Sequence, residues 1–171
     1  MRLTHLFVLL LVVFSGGCSS FKTTVDWDPS VDFRGFKSFN FSQSFDEIRL
    51  NDLDKRRVKE AVTIEMEKRG LHLSDKPELL VNGYVTSKEK VVVTNTHYSG
   101  MSPYAWGPWY STTDVNSYRE GTLLIGLIDV KQTRLIWEGR AVGVADQSGG
   151  KQRTGFINKV IEDMFREYPI K

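Results

Sequence analysis

Between Gly121 and Val130 the chain reads GTLLIGLIDV, and no other stretch limits the possible folds as much. Successive side chains of a strand point to opposite faces of a sheet. Leu123, Leu124 and Ile125, then Leu127 and Ile128, put apolar groups on both faces, so the run predicts a central strand covered on both sides, at least in part. Lys131-Gln132-Thr133-Arg134 then lead into Leu135 to Gly143, where the alternation of apolar and polar residues is clearer. A four-residue polar link between two such runs reads as an antiparallel hairpin.

Two segments have the pattern needed to cover that sheet. From Asn51 to Arg69, Val58, Ala61, Val62 and Met66 recur at helical spacing. Asn51, with Asp54 three residues on, makes a capping-box-like start, and Gly70 falls where a left-handed residue ends a helix. Near the C-terminus Phe156, Ile157, Val160, Ile161, Met164, Phe165 and Tyr168 form one continuous helix face. It follows the link Asp146-Gln147-Ser148-Gly149-Gly150 and is stopped by Pro169. Lys22 to Asp28 and Phe36 to Phe41 read as strands separated by the turn-prone Asp28-Pro29-Ser30. Leu71 to Leu73 reads as a short strand and Glu78 to Val85 as a longer one, with room to continue to Val93. The economical solution is an α+β layer fold, a mainly antiparallel sheet with two amphipathic helices packed on it. A chain of 171 residues, 40% hydrophobic, supports one such domain over residues 21–171.

Residues 1–17 have the shape of an export signal. Arg2 and His5 precede the apolar run Leu6 to Phe14, and small residues follow. Nine residues make a helix of about 13 Å, far short of the ~30 Å hydrocarbon core, so the segment reads as a signal and not a resident anchor. Next comes Ser15-Gly16-Gly17-Cys18, holding the chain's single cysteine. The stretch resembles the lipobox of bacterial lipoproteins, although Ser15 stands where that motif usually has Leu. The resemblance implies a diacylglyceryl group on the Cys18 thiol, cleavage before Cys18 and acylation of its new amine. Residues 18–20 would then be a lipidated N-terminus and short tether. Ordinary signal cleavage at the same bond is the alternative and leaves a free thiol, which is prone to oxidation and intermolecular pairing. Each buried methylene contributes about 0.8 kcal/mol, so one acyl chain holds marginally and three hold stably. Ser19 after the cysteine resembles the residue choice that sends such lipoproteins on to the outer membrane of Gram-negative cells.

Near the start stand Val25-Asp26-Trp27-Asp28-Pro29, Asp32-Phe33 and Phe36-Lys37-Ser38-Phe39, followed by Pro77-Glu78-Leu79-Leu80-Val81. Further on come Glu120-Gly121-Thr122-Leu123, Asp129-Val130 and Leu135-Ile136-Trp137-Glu138-Gly139, then a C-terminal helix ending near a proline. In this order the pieces resemble the bacterial lipoprotein family DUF4136, a domain of unknown function. The resemblance implies a lipid-anchored α/β domain of the cell envelope and brings no agreed activity and no catalytic residues; with Ser19 the expected address is the periplasmic face of the outer membrane.

No cofactor or metal site is expected. Of the three histidines, His5 leaves with the signal, and His72 and His97 make no ligand spacing. Asp26, Asp28 and Asp32 flank a proline turn, where Asp bonds nearby backbone. Gly139-x-x-x-Gly143 lies on a strand, and Ser148-Gly149-Gly150-Lys151 lacks phosphate-loop spacing. Beyond Gly17 the chain carries 22 basic and 21 acidic side chains, which gives no electrostatic case for nucleic acid.

The stretch from Asn95 to Tyr110 breaks regular structure with Gly, Pro and Ser, yet holds Tyr98, Tyr104, Trp106, Trp109 and Tyr110. Loops of this length usually bind something or are disordered. Those aromatics either fold back on the sheet or form a contact loop for an envelope protein, a glycan or the lipid interface. Stacking on nucleic acid would call for interleaved Lys and Arg, and none occurs between Val91 and Tyr118. The first functional expectation is therefore a binding or envelope-assembly module, held to the membrane by acyl chains on Cys18. Carriage of a small apolar ligand, in a cavity of a few hundred Å³, and carboxylate-dependent enzymology are the alternatives.

Overall fold

The computed structural model describes residues 21–97, 111–144 and 149–170, with residues 88–97, 111–120 and 144 described as backbone. Its strands are β1 (Phe21–Trp27), β2 (Ser38–Phe41), β3 (His72–Leu73), β4 (Leu79–His97), β5 (Ser111–Asp129) and β6 (Arg134–Val144). Helix α1 spans Asp52–Lys68 and α2 spans Gly150–Phe165, and 3₁₀ turns occupy Phe33–Gly35 and Gln43–Glu47. The strands form one sheet in the order β1-β6-β5-β4-β2-β3. Only β2 pairs in parallel, with β3 and with β4, so the fold is α+β with a mainly antiparallel sheet.

Both ends of α1 form as the sequence predicts. The Asn51 side chain accepts from the Asp54 backbone N–H (2.9 Å). At the other end Gly70, at φ +82°, closes the helix: its N–H donates to Glu67 O (2.9 Å) and that of Leu71 to Met66 O (3.2 Å). A left-handed residue there satisfies carbonyls that the helix itself cannot. Val58, Ala61, Val62 and Met66 of α1 and Ile157, Val160, Ile161 and Met164 of α2 are buried against the sheet. The second helix begins earlier than the apolar stripe, at Gly150, and ends at Phe165. Tyr168 reaches the core from the turn that follows, its N–H bonded to Phe165 O (3.1 Å).

The hairpin β5–β6 is present, and its connection is Val130 to Thr133. Asp129 Oδ1 accepts the backbone N–H groups of Lys131 (2.8 Å) and Gln132 (3.1 Å), and Thr133 adopts φ +51°. A β-bulge after Leu127 buries both Ile136 and Trp137. The two amino-terminal strands lie at opposite sides of the sheet, because β1 pairs with β6 and β2 with β4.

One expectation is corrected. Strand β5 is central, but both helices lie on the face of Leu123, Ile125 and Leu127. On the other face Leu124 and Ile128 are half-buried without a covering layer among the described residues. Cross-strand neighbours supply what shelter they have: Leu80, Ile128 and Leu135 are in register, and a Cβ added at Gly126 would lie 2.8 Å from Leu135 Cδ1. Pairs directly opposite on neighbouring strands shield each other this way without a second layer.

Candidate functional site

Strands β4 and β5 outrun the sheet. Leu79 to Ser87 face Gly121 to Asp129 inside it, and the pairing then continues from Lys88↔Glu120 to His97↔Ser111, ten further pairs. At the rise of an antiparallel strand the extension is about 30 Å long. Among the described residues no third strand joins it beyond the single step Glu120↔Val144. The irregular stretch read from Asn95 therefore starts later, since Asn95, Thr96 and His97 are strand. Tyr98, Tyr104, Trp106, Trp109 and Tyr110 lie outside the described residues, as does Cys18.

The edge of β4 is also open nearer the body. Strand β2 pairs with it only from Leu79 to Val81, and Ser42 N–H makes a last bond to Val81 O (2.9 Å). Beyond that point Asn82 Oδ1 caps the edge, accepting from Gly83 N–H (3.0 Å), Ser44 Oγ (2.6 Å) and Ser42 Oγ (3.1 Å). A groove of about 580 Å³ follows, between the 3₁₀ turn at Ser44 and Glu47 and the strand from Asn82 to Ser87. Tyr84 stands 62% exposed on its wall.

The two helices run parallel and are tied at both ends. At the N-terminal ends Arg153 of α2 donates to Asp54 of α1 (Nη2–Oδ2 2.8 Å), and Arg57 holds the other carboxylate oxygen (2.8 Å) and donates from Nε to Thr154 (3.1 Å). Burial pushes the Asp54 carboxyl up, but the hydrogen bonds from Arg153 and Arg57 outweigh it and hold the group below the usual range. At the C-terminal ends Arg69 donates to Glu65 (2.7 Å) and to Phe165 O, and its guanidinium sits 5.3 Å from the Phe165 ring centre. Burial likewise raises Glu65, and the bonds from Lys68 and Arg69 more than reverse the effect.

Between the helices, β1 and the sheet, beside the Asp54 cluster, lies an apolar cavity of about 110 Å³ walled by Phe21, Val58, Leu123, Ala141, Phe156 and Val160. It is apolar, as a carrier's pocket should be, but below the few hundred Å³ that hold a whole small ligand. The titrating groups at its wall are bonded to each other and belong to the helix clamp. Nothing in the sequence announced this cluster: the Asn51 cap located Asp54, but Arg153 is 99 positions away.

The acidic residues near the start of the chain are structural. Asp28 accepts from Ser30 Oγ (2.6 Å) and N–H (2.9 Å), bonds that hold its carboxyl low, and pairs with Arg134 (2.8 Å). Asp32 caps the first 3₁₀ turn through Arg34 N–H (3.1 Å). His72 is exposed on the edge strand β3. Among the described residues no group of three or more His, Cys, Asp or Glu side chains could hold a metal ion, and no helix is long and apolar enough to cross a membrane.

A family model described as a domain of unknown function, DUF4136, matches residues 23–170. No curated protein matches the chain. Among solved structures, a PDZ domain protein from Parabacteroides distasonis aligns over 90% of this chain at 21% identity and TM-score 0.55. The chain spans only 36% of that protein's length. The PelC dodecamer from Paraburkholderia phytofirmans aligns over 84% of this chain and 96% of its own, at 12% identity and TM-score 0.46. The first of these likenesses shows the fold alone, and the second is too distant to carry an argument.

Proposed function

The chain belongs to the DUF4136 family, and from that premise we propose that it is a lipid-anchored binding or assembly module of the bacterial envelope. Acyl chains on Cys18 moor it to the periplasmic face of the outer membrane. The β4–β5 extension, together with the aromatic-rich sequence from Tyr98 to Tyr110 that joins its two strands, engages a protein or glycan partner.

One observation carries the reading. Among the described residues nine pairs of a two-stranded ribbon, from Glu89↔Arg119 to His97↔Ser111, have no third strand beside them, and such a ribbon is marginal in water unless something completes it. Beyond Val144 no described strand pairs with its outer edges, and extended partners use such edges for strand addition. The Trp and Tyr residues of the connecting sequence supply contact area at low entropic cost.

The test places a photo-cross-linking residue at Trp106, and as a control at Glu162 on α2, in the protein expressed with its own signal. A defined envelope partner or glycan adduct at 106 and none at 162 supports the reading. Equal yields at both positions count against it. Replacing Cys18 with Ala should move the protein out of the membrane fraction, and continued pelleting with membranes would oppose the anchor.

A further inference from the structure

We propose that the cavity beside the Asp54 cluster is a receptor for the end of an alkyl chain, and that its occupant is an acyl chain on Cys18 of the same molecule. The inference rests on the lipid anchor proposed above and adds to it a place on the folded domain.

The cavity arises from side chains the sequence omits. Gly121 of β5 is in register with Gly143 of β6, which is in register with Phe21 of β1. Gly121 shares the helix-covered face with Leu123 and Ile125, and a Cβ added there would meet no atom within 4 Å. Two adjacent strands thus lack side chains at the cavity wall. Phe21 and Phe156, edge to face at 5.6 Å between ring centres, close one side.

The lining selects the ligand class. Polar groups at the wall are few, and the main ones, Asp54 and Arg153, are bonded to each other. A head group or sugar would leave its own polar atoms without partners against so apolar a wall, which is costly. An apolar cavity of about 150 Å³ stays dry and accepts benzene, so about 110 Å³ suits the last few carbons of an alkyl chain.

Position selects the occupant. Phe21 is both the first described residue and part of the wall. Cys18 is three residues earlier, within about 11 Å even on fully extended backbone. No diffusing ligand has a comparable effective concentration at the mouth, since tethering makes binding intramolecular. In a bilayer the acyl chains stay in the hydrocarbon. Off the membrane, as during passage between the two membranes, the cavity would take the end of one chain and reduce the apolar surface left in water.

The experiment uses the native lipoprotein from cells fed palmitate carrying a terminal diazirine. Intact mass establishes acylation, and ultraviolet light is applied to purified protein in detergent-free buffer and in phospholipid nanodiscs. Isotopically mixed samples separate links within one molecule from links between molecules. The expected result is an intramolecular adduct on the tryptic peptide Thr154–Lys159 in buffer, at least fivefold weaker in nanodiscs and in a Gly121→Leu variant that fills the space. Ala141→Leu fills the same space from β6 should the first variant fail to fold. An acylated protein with no such adduct, or with one that both filled variants retain, overturns the cavity assignment and leaves the anchor standing. Absence of added acyl mass overturns both.

Discussion

Arg153 on α2 and Asp54 on α1 meet at the cavity wall with two guanidinium nitrogens on one carboxylate oxygen, Nη2 at 2.8 Å and Nε at 3.2 Å. Asp54 is 5% exposed, so its charge is worth keeping only while both arginines hold it. The pair therefore fixes how the N-terminal ends of the two helices sit against each other.

Asp54→Asn removes the charge and leaves two arginines facing a neutral amide. Breaking a largely buried pair from one side costs about 3 kcal/mol, which for a domain of this size lowers the melting temperature by roughly 6–12 °C. The folded-state pKa of Asp54 is depressed. Its contribution is thus complete above the unfolded value, about 4, and is lost as pH falls through the folded value. Melting curves of wild type and Asp54→Asn should be well separated at pH 7 and converge in acid. A constant gap down to pH 2.5 would exclude this linkage.

Gly139 and Gly121 predict opposite outcomes for the same substitution. A Cβ at Gly139 would lie 2.6 Å from Trp137 Cη2 and 3.2 Å from Met164 Cβ, so Gly139→Ala must displace a buried indole or the helix above it. Overpacking of that kind costs about 2–3 kcal/mol. At Gly121 the new methyl meets open space, and Gly121→Ala lowers the backbone entropy of the unfolded chain. Urea unfolding should give a lower midpoint for the first and an equal or higher midpoint for the second.

Tyr168 is buried among Phe33, Trp137 and Phe165, and its hydroxyl has no hydrogen-bond partner among the described residues. Burial pushes the phenol up to about 12, against a smaller opposing effect of Arg69. Because the folded pKa is the higher one, stability is complete below about 10 and falls as pH rises toward 12. Tyr168→Phe removes an unsatisfied buried group at nearly constant shape and should be neutral or stabilising by up to about 1 kcal/mol. It should also flatten the alkaline limb of the stability curve between pH 10 and 12. Loss of more than about 1 kcal/mol would mean that the hydroxyl has a partner.

Legibility in the sequence followed burial. Helix α1 could be placed from Asn51 to Gly70 because its cap, stripe and left-handed stop are local, and β5 from Gly121 because its core face must be apolar. The half of β5 from Ser111 to Glu120 reads STTDVNSYRE and was not recognised as strand. Its backbone pairs only with β4 until Glu120 meets Val144, among the described residues, and its sequence shows no alternation of hydrophobicity to mark it. The one-sided cover of β5 was misread for a related reason: Leu124 and Ile128 are sheltered by Leu80 and Leu135 in neighbouring strands, a pairing no single segment encodes. The clamp between Asp54 and Arg153 and the parallel step from β2 to β4 likewise depend on which segments meet.

The ribbon yields a prediction that separates the folding of the body from its proposed contact. Residues Lys90 to Tyr118 contribute backbone pairing within the ribbon and none of the described core. Joining Glu89 to Arg119, which are directly opposite in the register, through Asn-Gly replaces the ribbon by a two-residue hairpin turn whose twist suits antiparallel strands. The shorter connection also lowers the entropic cost of closure slightly. The melting temperature should therefore stay within about 3 °C of wild type, equivalent to about 1 kcal/mol, while co-purification of the partner is lost. If the truncated protein instead melts many degrees lower, the segment from Lys90 to Tyr118 supports the core, and its role as a free-standing contact arm is wrong.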